Sequence, residues 1–123
     1  MWQDLFYKWI DDAIASSPPS EIIAFNVNLY DSPFRADLIG AASYDSNDTD
    51  WACEEDWEPK ERFFEFPEEL SNLPWEERLE LVKSALNSLI SSNRISSSRF
   101  RSSKALAVGF VDGELEIVYQ GST

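Results

Sequence analysis

Two amphipathic helical patterns, one at the start of the chain and one past its middle, constrain the fold more than any other feature. Large apolar residues in each recur at intervals of three and four, a spacing that lines one side of an α-helix. The first pattern covers residues 2–16 and comprises Trp2, Leu5, Phe6, Trp9, Ile10, Ala13 and Ile14. The second starts near Asn72 and comprises Trp75, Leu79, Val82, Leu86, Leu89 and Ile90. Both predict helices that bury one side against a core.

Five other stretches have the alternation or the composition of β-strands. They cover residues 22–30, 36–44, 61–66, 105–111 and 114–120. Asp112-Gly113, between the last two, is a strong signal for a tight hairpin turn. The predicted order is α-β-β-β-α-β-β. With its short connections, this order favours an α+β two-layer sandwich, in which two helices pack on one face of an antiparallel or mixed five-stranded sheet.

The length of 123 residues predicts a single domain, 1–123. Small residues near Gly40 in the second predicted strand suggest the hypothesis that a helix approaches it closely. Residues 91–103 are rich in Ser and carry Arg94, Arg99 and Arg101. We interpret that stretch as a flexible connector, or alternatively as a segment that docks on the acidic loop of the same molecule, residues 45–58. With Phe100 as its one aromatic residue, it is a poor candidate for stacking on nucleic acid.

The net charge of −13 and the absence of His exclude several functions. A His-dependent catalytic triad or dyad is impossible. Because the chain also has only one Cys, a structural zinc site is nearly excluded. The negative charge repels nucleic-acid phosphate and anionic lipid, so we expect no nucleic-acid and no membrane partner, but a basic protein partner. The acidic start Met1-Trp2-Gln3-Asp4 is unlike a signal peptide. We therefore expect a cytoplasmic protein, with an oligomeric state that the sequence leaves open.

Most of the charge is concentrated between Asp45 and Glu69, where eleven acidic and two basic residues give −9. We name residues 45–58 the acidic segment. Because Trp is enriched at binding hot spots, the two Trp residues within it make a protein-binding surface our first interpretation. The alternatives are a solvated loop that its Trp residues anchor to the core, and a metal site. The candidate partner-binding residues are Asp45, Asp48, Asp50, Trp51, Glu54, Glu55, Asp56, Trp57 and Glu58.

Metal binding and catalysis are weakly supported by the same residues. Asp45, Asn47 and Thr49 match the first ligand positions of a calcium loop, but Asp50 replaces the glycine at position 6 and Asp56 the glutamate at position 12. Carboxylates are abundant, but acid–base hydrolysis needs two of them opposed across a cleft. Cys53 lies beside Glu54 and Glu55 without a His to activate it, so we predict a buried structural thiol. We expect no enzyme, no metal and no cofactor.

Part of the chain, roughly residues 22–66, resembles a family of small acidic bacterial proteins from toxin-immunity loci, including contact-dependent growth inhibition and other polymorphic toxin systems. The resemblance is carried by Ala24–Tyr30, Leu38–Ala41, Tyr44-Asp45 and, most distinctively, by Asp48-x-Asp50-Trp51-Ala52-Cys53-Glu54-Glu55. It implies a cytoplasmic immunity protein that binds one toxin domain, such as a basic nuclease-type toxin, and blocks its active site or substrate entry.

Two other functions compete with this one. A small acidic adaptor or regulatory binding module would use the same surface for another basic partner. The second competing function is that of a carboxylate-dependent hydrolase or a metal-binding protein. An exposed edge strand, such as 114–120, could also pair with a strand of a partner.

Overall fold

The computed structural model describes residues 2–121; Met1 and residues 122–123 of the predicted domain lie outside this range. The described residues form three α-helices, five strands and two 3-10 helices. The α-helices are α1 (Trp2–Ala15), α2 (Trp75–Ile90) and α3 (Ile95–Arg101). The strands are β1 (Ala24–Tyr30), β2 (Arg35–Ala41), β3 (Phe63–Glu65), β4 (Ala105–Phe110) and β5 (Glu116–Gln120). The 3-10 helices are Thr49–Cys53 and Glu68–Asn72.

The strands form one mixed sheet in the order β3-β2-β1-β4-β5. β1 and β4 are parallel at its centre, and every other pair is antiparallel. In this register Val27 lies beside Leu38 on one side and Val108 on the other. The predicted α+β class with a five-stranded mixed sheet is confirmed. The predicted element order lacked α3, which stands between α2 and β4.

The main core lies on one face of the sheet. Alternate residues of the two central strands, including Phe25, Val27 and Val108, are fully buried there. Because side chains alternate across a strand, these residues share a face. Each of the three helices adds side chains to the same cluster, among them Phe6 and Ile10 from α1, Val82 and Leu86 from α2, and Phe100 from α3. The predicted helical patterns therefore do pack on the sheet.

Two residues of those patterns are exposed, contrary to prediction. Leu5 is 63% exposed and Trp75 is 55% exposed. With about 100° of rotation per residue, Leu5 lies just outside the arc that Phe6, Trp9 and Ile10 bury. Trp75 is the first residue of α2, and the burial of that helix begins one turn later, at Arg78 and Leu79. The spacing identified the helices correctly but not the limits of their buried sides.

The basic stretch 91–103 is folded, so the prediction of a flexible connector is wrong. It contains α3, with Ser96, Ser97 and Phe100 buried. The alternative of docking on the acidic segment is also wrong, because Arg94 pairs with Asp11 of α1 at 2.7 Å. Arg99 donates to the carbonyl of Ile22 at 2.7 Å, and Arg101 to those of Ile90 and Ser92. These arginines fasten α3 to its neighbours.

The hairpin of β4 and β5 is present, but its turn is not the predicted one. The antiparallel pairing ends at Val108 and Glu116, so the strands diverge well before Asp112-Gly113. No described glycine has a positive φ, which the tight Asn/Asp-Gly turn requires. β4 instead continues along β1 as far as Phe110. No helix in the described part of the chain combines the length and apolarity needed to cross a membrane.

Candidate functional site: the acidic segment and its cleft

The acidic segment follows β2 and is folded by its own polar side chains. Asp45 Oδ1 accepts a hydrogen bond from the backbone N–H of Asn47 at 2.9 Å. Asp48 caps the 3-10 helix Thr49–Cys53, since its Oδ1 accepts the N–H of Asp50 at 3.0 Å. Short acidic side chains favour such local bonds. Asp45, the first of the candidate calcium ligands, therefore has one carboxylate oxygen engaged with the backbone.

Trp51 anchors the segment to the second face of the sheet. It is only 4% exposed and packs with small residues of three strands, namely Ala24, Ala41, Ala105 and Ala107. Tyr44 meets its ring edge-on at 5.3 Å. These small side chains let the 3-10 helix lie close to the strands, which agrees with the hypothesis of a helix approaching the second strand.

Trp57 is a second, partly buried anchor. Its backbone exchanges two hydrogen bonds with Gly40, at 2.9 and 3.1 Å, and so extends the pairing along β2. Its ring packs edge-on against Phe25 at 5.9 Å. A Cβ on Gly40 would lie 2.6 Å from Ile22 Cγ2 and 3.2 Å from Trp57 Cε3, so this approach requires glycine. In this conformation the two Trp residues hold the segment in place, and Trp51 offers almost no area to a partner.

The acidic side chains, in contrast, all face solvent. The exposed set is Asp45, Asp48, Asp50, Glu54, Glu55, Asp56 and Glu58. Some are also fixed in place: Asp56 Oδ2 accepts the N–H of Ala42 at 2.9 Å, and Glu54 accepts the hydroxyl of Ser43 at 3.1 Å. The structure thus leaves the carboxylates of the acidic segment at the surface of the protein while it turns Trp51 inward.

Arg62 joins this surface to the sheet through three carboxylates. It makes a bidentate ion pair with Asp37, with both N–O distances at 3.0 Å. It also pairs with Glu55 at 2.5 Å and with Glu58. The hydrogen bonds that Arg62 donates to Asp37 and Glu55 raise its pKa, against the opposing effect of desolvation. One guanidinium meets three carboxylates, so the local charge remains negative.

A cleft of about 500 Å³ separates the 3-10 helix from the turn between β4 and β5. Asn26 and Asn28 of β1 line it, together with Cys53 and Glu114. Asn26 Nδ2 donates to Asn28 Oδ1 at 2.8 Å and to the carbonyl of Ala52 at 3.3 Å. Asn26 is 2% exposed, and its Oδ1 has no hydrogen-bond donor. Because side chains alternate across a strand, Asn26 and Asn28 lie on the face of β1 opposite to Phe25 and Val27.

Cys53 is exposed, so the prediction of a buried thiol is wrong. It is the last residue of the 3-10 helix, and only Trp51 and Ala52 of that helix are buried. Among residues 2–121, no group of three or more acidic or Cys side chains is arranged to hold a metal ion.

Sequence reasoning missed the roles of Asp37 and Arg62. Asp37 is fully buried in β2, and an acidic residue at an alternating position of an otherwise apolar strand was the available signal. Its partner, 25 residues away, left no pattern in the sequence.

Comparison with known proteins returned no similar protein. No protein-family model matches the chain, and neither the curated proteins nor the solved structures contain a significant match.

Proposed function

We propose that the protein is a cytoplasmic immunity protein that binds and neutralises one cognate bacterial toxin domain. The toxin presents a basic surface, as a nuclease does, and the acidic segment covers its active site or the entry path of its substrate. The helices and the sheet form a two-layer scaffold in this proposal, and the second face of the sheet carries the segment.

One observation carries the proposal: the seven carboxylates of the acidic segment are exposed although the segment itself is held against the sheet. Trp51 is buried beneath it, and Arg62 ties its end to Asp37. A preorganised surface loses little conformational freedom on binding, which favours affinity. A segment selected only for solubility would not need such anchoring.

The charge also suits rapid capture of a basic partner. Complementary surface charge raises association rates by about 10–10³-fold at low salt. Fast association is useful to a protein that must intercept a toxin before it meets its substrate. Competition with a phosphate backbone for the same basic surface would block a nuclease directly.

The proposal is tested by binding to the polypeptide encoded immediately upstream. Asp50→Lys with Glu54→Lys reverses two exposed charges and leaves Asp37, Arg62 and both Trp anchors intact. Asp4→Lys with Glu21→Lys is the matched control, because it changes the net charge equally at exposed positions outside the segment. Association rates are measured by surface plasmon resonance at several salt concentrations.

We expect the segment variant to associate at least tenfold more slowly than the control, with a weaker dependence on salt. Equal rates for the two variants would show that the segment is not the docking surface. Binding to a housekeeping protein rather than a toxin would favour the adaptor function.

A further inference from the structure

A groove of about 270 Å³ lies where the N-terminus of α2 meets the ends of β1 and β4. Trp75 and Phe110 supply its aromatic wall, with their rings edge-on at 6.3 Å. Three acidic residues, Asp31, Asp112 and Glu114, line the same groove. Trp75 is 55% exposed, which is unusual for so large an apolar side chain. An exposed aromatic residue with acidic neighbours is suited to a cationic side chain.

Within the protein, the cationic side chain of Arg78 already lies between aromatic rings and a carboxylate, the same combination of groups. The Arg78 guanidinium lies 5.3 Å from the ring centre of Phe110 and 5.0 Å from that of Phe34. The same guanidinium pairs with Asp31 at 2.7 Å. Arg78 is buried, whereas Trp75 is more than half exposed. Trp75, with the acidic residues of the turn, offers a similar set of groups at the surface.

We propose that this groove receives a lysine or arginine side chain of the protein partner, with Trp75 as the aromatic contact and Asp112 and Glu114 as the charge partners. The inference rests on the proposed function and refines it, because it moves the aromatic hot spot from Trp51 and Trp57 to Trp75. Charge complementarity identifies the occupant: three acidic residues line the groove, and Arg78 pairs with only one of them, Asp31.

The groove is continuous with the surface described above. Its residues Phe110, Gly113 and Glu114 also line the 500 Å³ cleft, whose opposite wall is formed by Thr49, Ala52 and Cys53. A partner that lies across the turn can therefore contact the groove and the acidic segment together. Within the cleft, Asn26 Oδ1 lacks a donor, and the N–H groups of a basic partner would supply one.

The first test uses a blocked tetra-arginine peptide as the probe and the tetra-citrulline peptide, which is neutral and of nearly the same shape, as its control. Binding is followed by the indole N–H signals of the Trp residues in two-dimensional NMR, with Trp75→Ala assigning the signal of Trp75. We expect the arginine peptide to shift the Trp75 signal saturably and the citrulline peptide to leave it unchanged. In the double variant Asp112→Asn/Glu114→Gln, the peptide concentration that gives half of the shift should rise at least fivefold. Equal shifts with both peptides would overturn the proposal.

The second test measures affinity for the upstream-encoded partner. We expect Trp75→Ala to weaken binding at least tenfold, and Leu5→Ala, which removes a similarly exposed apolar side chain elsewhere, to leave it unchanged. Unchanged affinity in Trp75→Ala, combined with loss in Asp50→Lys/Glu54→Lys, would overturn the groove while the proposed function stands. If the arginine peptide shifts the Trp75 signal saturably but the upstream-encoded polypeptide does not bind, the proposed function is overturned. The selectivity of the groove for a cationic side chain is then still supported.

Discussion

Arg62 and Asp37 form a bidentate ion pair across the second face of the sheet, with both N–O distances at 3.0 Å. The Asp37 side chain is completely buried, whereas that of Arg62 is 29% exposed. The pair therefore neutralises a charge that water cannot reach. It also connects β2 to the exposed Glu55 and Glu58 of the acidic segment.

Removal of Arg62 should destabilise the fold strongly, because it leaves the buried Asp37 carboxylate without a partner. A fully buried pair costs about 3–5 kcal/mol when broken in this way. Because Arg62 is partly exposed and water can enter, we expect about 2–3 kcal/mol for Arg62→Ala in urea unfolding. The double variant with Asp37→Ala should recover part of this loss. Lys8→Ala, which breaks the exposed pair with Asp12, should change stability by about 0.5 kcal/mol or less. Similar losses for both single variants would contradict the prediction.

Truncation of Trp51 should lower the stability of the fold far more than truncation of Trp75. Trp51→Ala empties a buried site and is expected to cost about 3–5 kcal/mol, with release of the acidic segment from the sheet. Trp75→Ala removes a mostly exposed ring and should cost less than about 1 kcal/mol. Denaturant unfolding measures both, and hydrogen exchange at residues 45–58 reports the release. A large loss in Trp75→Ala would mean that the ring is structural.

Gly109, within β4, and Gly113, in the turn that follows it, are a matched pair for testing how closely the turn approaches the strand. A Cβ at Gly109 would lie 2.7 Å from the backbone oxygen of Glu114, and the turn would have to move. We expect Gly109→Ala to cost about 1–3 kcal/mol, as overpacking does. The nearest atom to a Cβ at Gly113 is 3.7 Å away, so Gly113→Ala should be nearly neutral. Thermal unfolding of the two variants distinguishes these outcomes, and equal effects would refute the close approach at Gly109.

Asp11 should stabilise α3 although it belongs to α1. Its Oδ1 accepts the backbone N–H of Ser96 at 3.2 Å and the Ser96 hydroxyl at 2.6 Å, and its Oδ2 pairs with Arg94. The free N–H groups at a helix start need such partners, and a lost cap costs about 0.5–2 kcal/mol. Asp11→Ala should lose at least this much and expose the amides of α3 to hydrogen exchange. Asp12→Ala, at the exposed neighbouring residue, should do neither.

Tyr30 should make the stability depend on alkaline pH. Burial, followed by the charge of Asp37 and a hydrogen bond to it, raises the pKa of Tyr30. The folded protein therefore retains the phenol proton at pH values where the unfolded chain has lost it. This contribution is complete below the ordinary Tyr pKa of about 10 and is lost as the pH rises through the folded value. Urea unfolding between neutral and strongly alkaline pH should show a steeper loss for the native protein than for Tyr30→Phe. Parallel curves would refute the shift.

The spacing of apolar residues along the chain predicted two helices and the strands, because this spacing depends only on residues that are close together in sequence. The spacing from Phe6 to Ile14 and from Leu79 to Leu89 marked two helices, and alternation from Phe25 to Leu29 marked the central strand. The third helix was missed because α3 has little apolar periodicity. It depends on contacts with Asp11 and Ile22, which lie far away in sequence, and with Ile90 at the end of α2.

The sequence by itself determined the class of fold, the position of its acidic segment and the absence of His chemistry, since these follow from composition and short-range spacing. Only the tertiary structure decided that Trp51 is buried while Trp75 is exposed. It alone paired Arg62 with Asp37 and brought the turn after β4 to the edge of the cleft. These outcomes depend on which surfaces meet when β1 pairs with β4, about 80 residues later in the chain. Periodicity shows that a side of an element is apolar, but the geometry of packing decides how much of that side is covered.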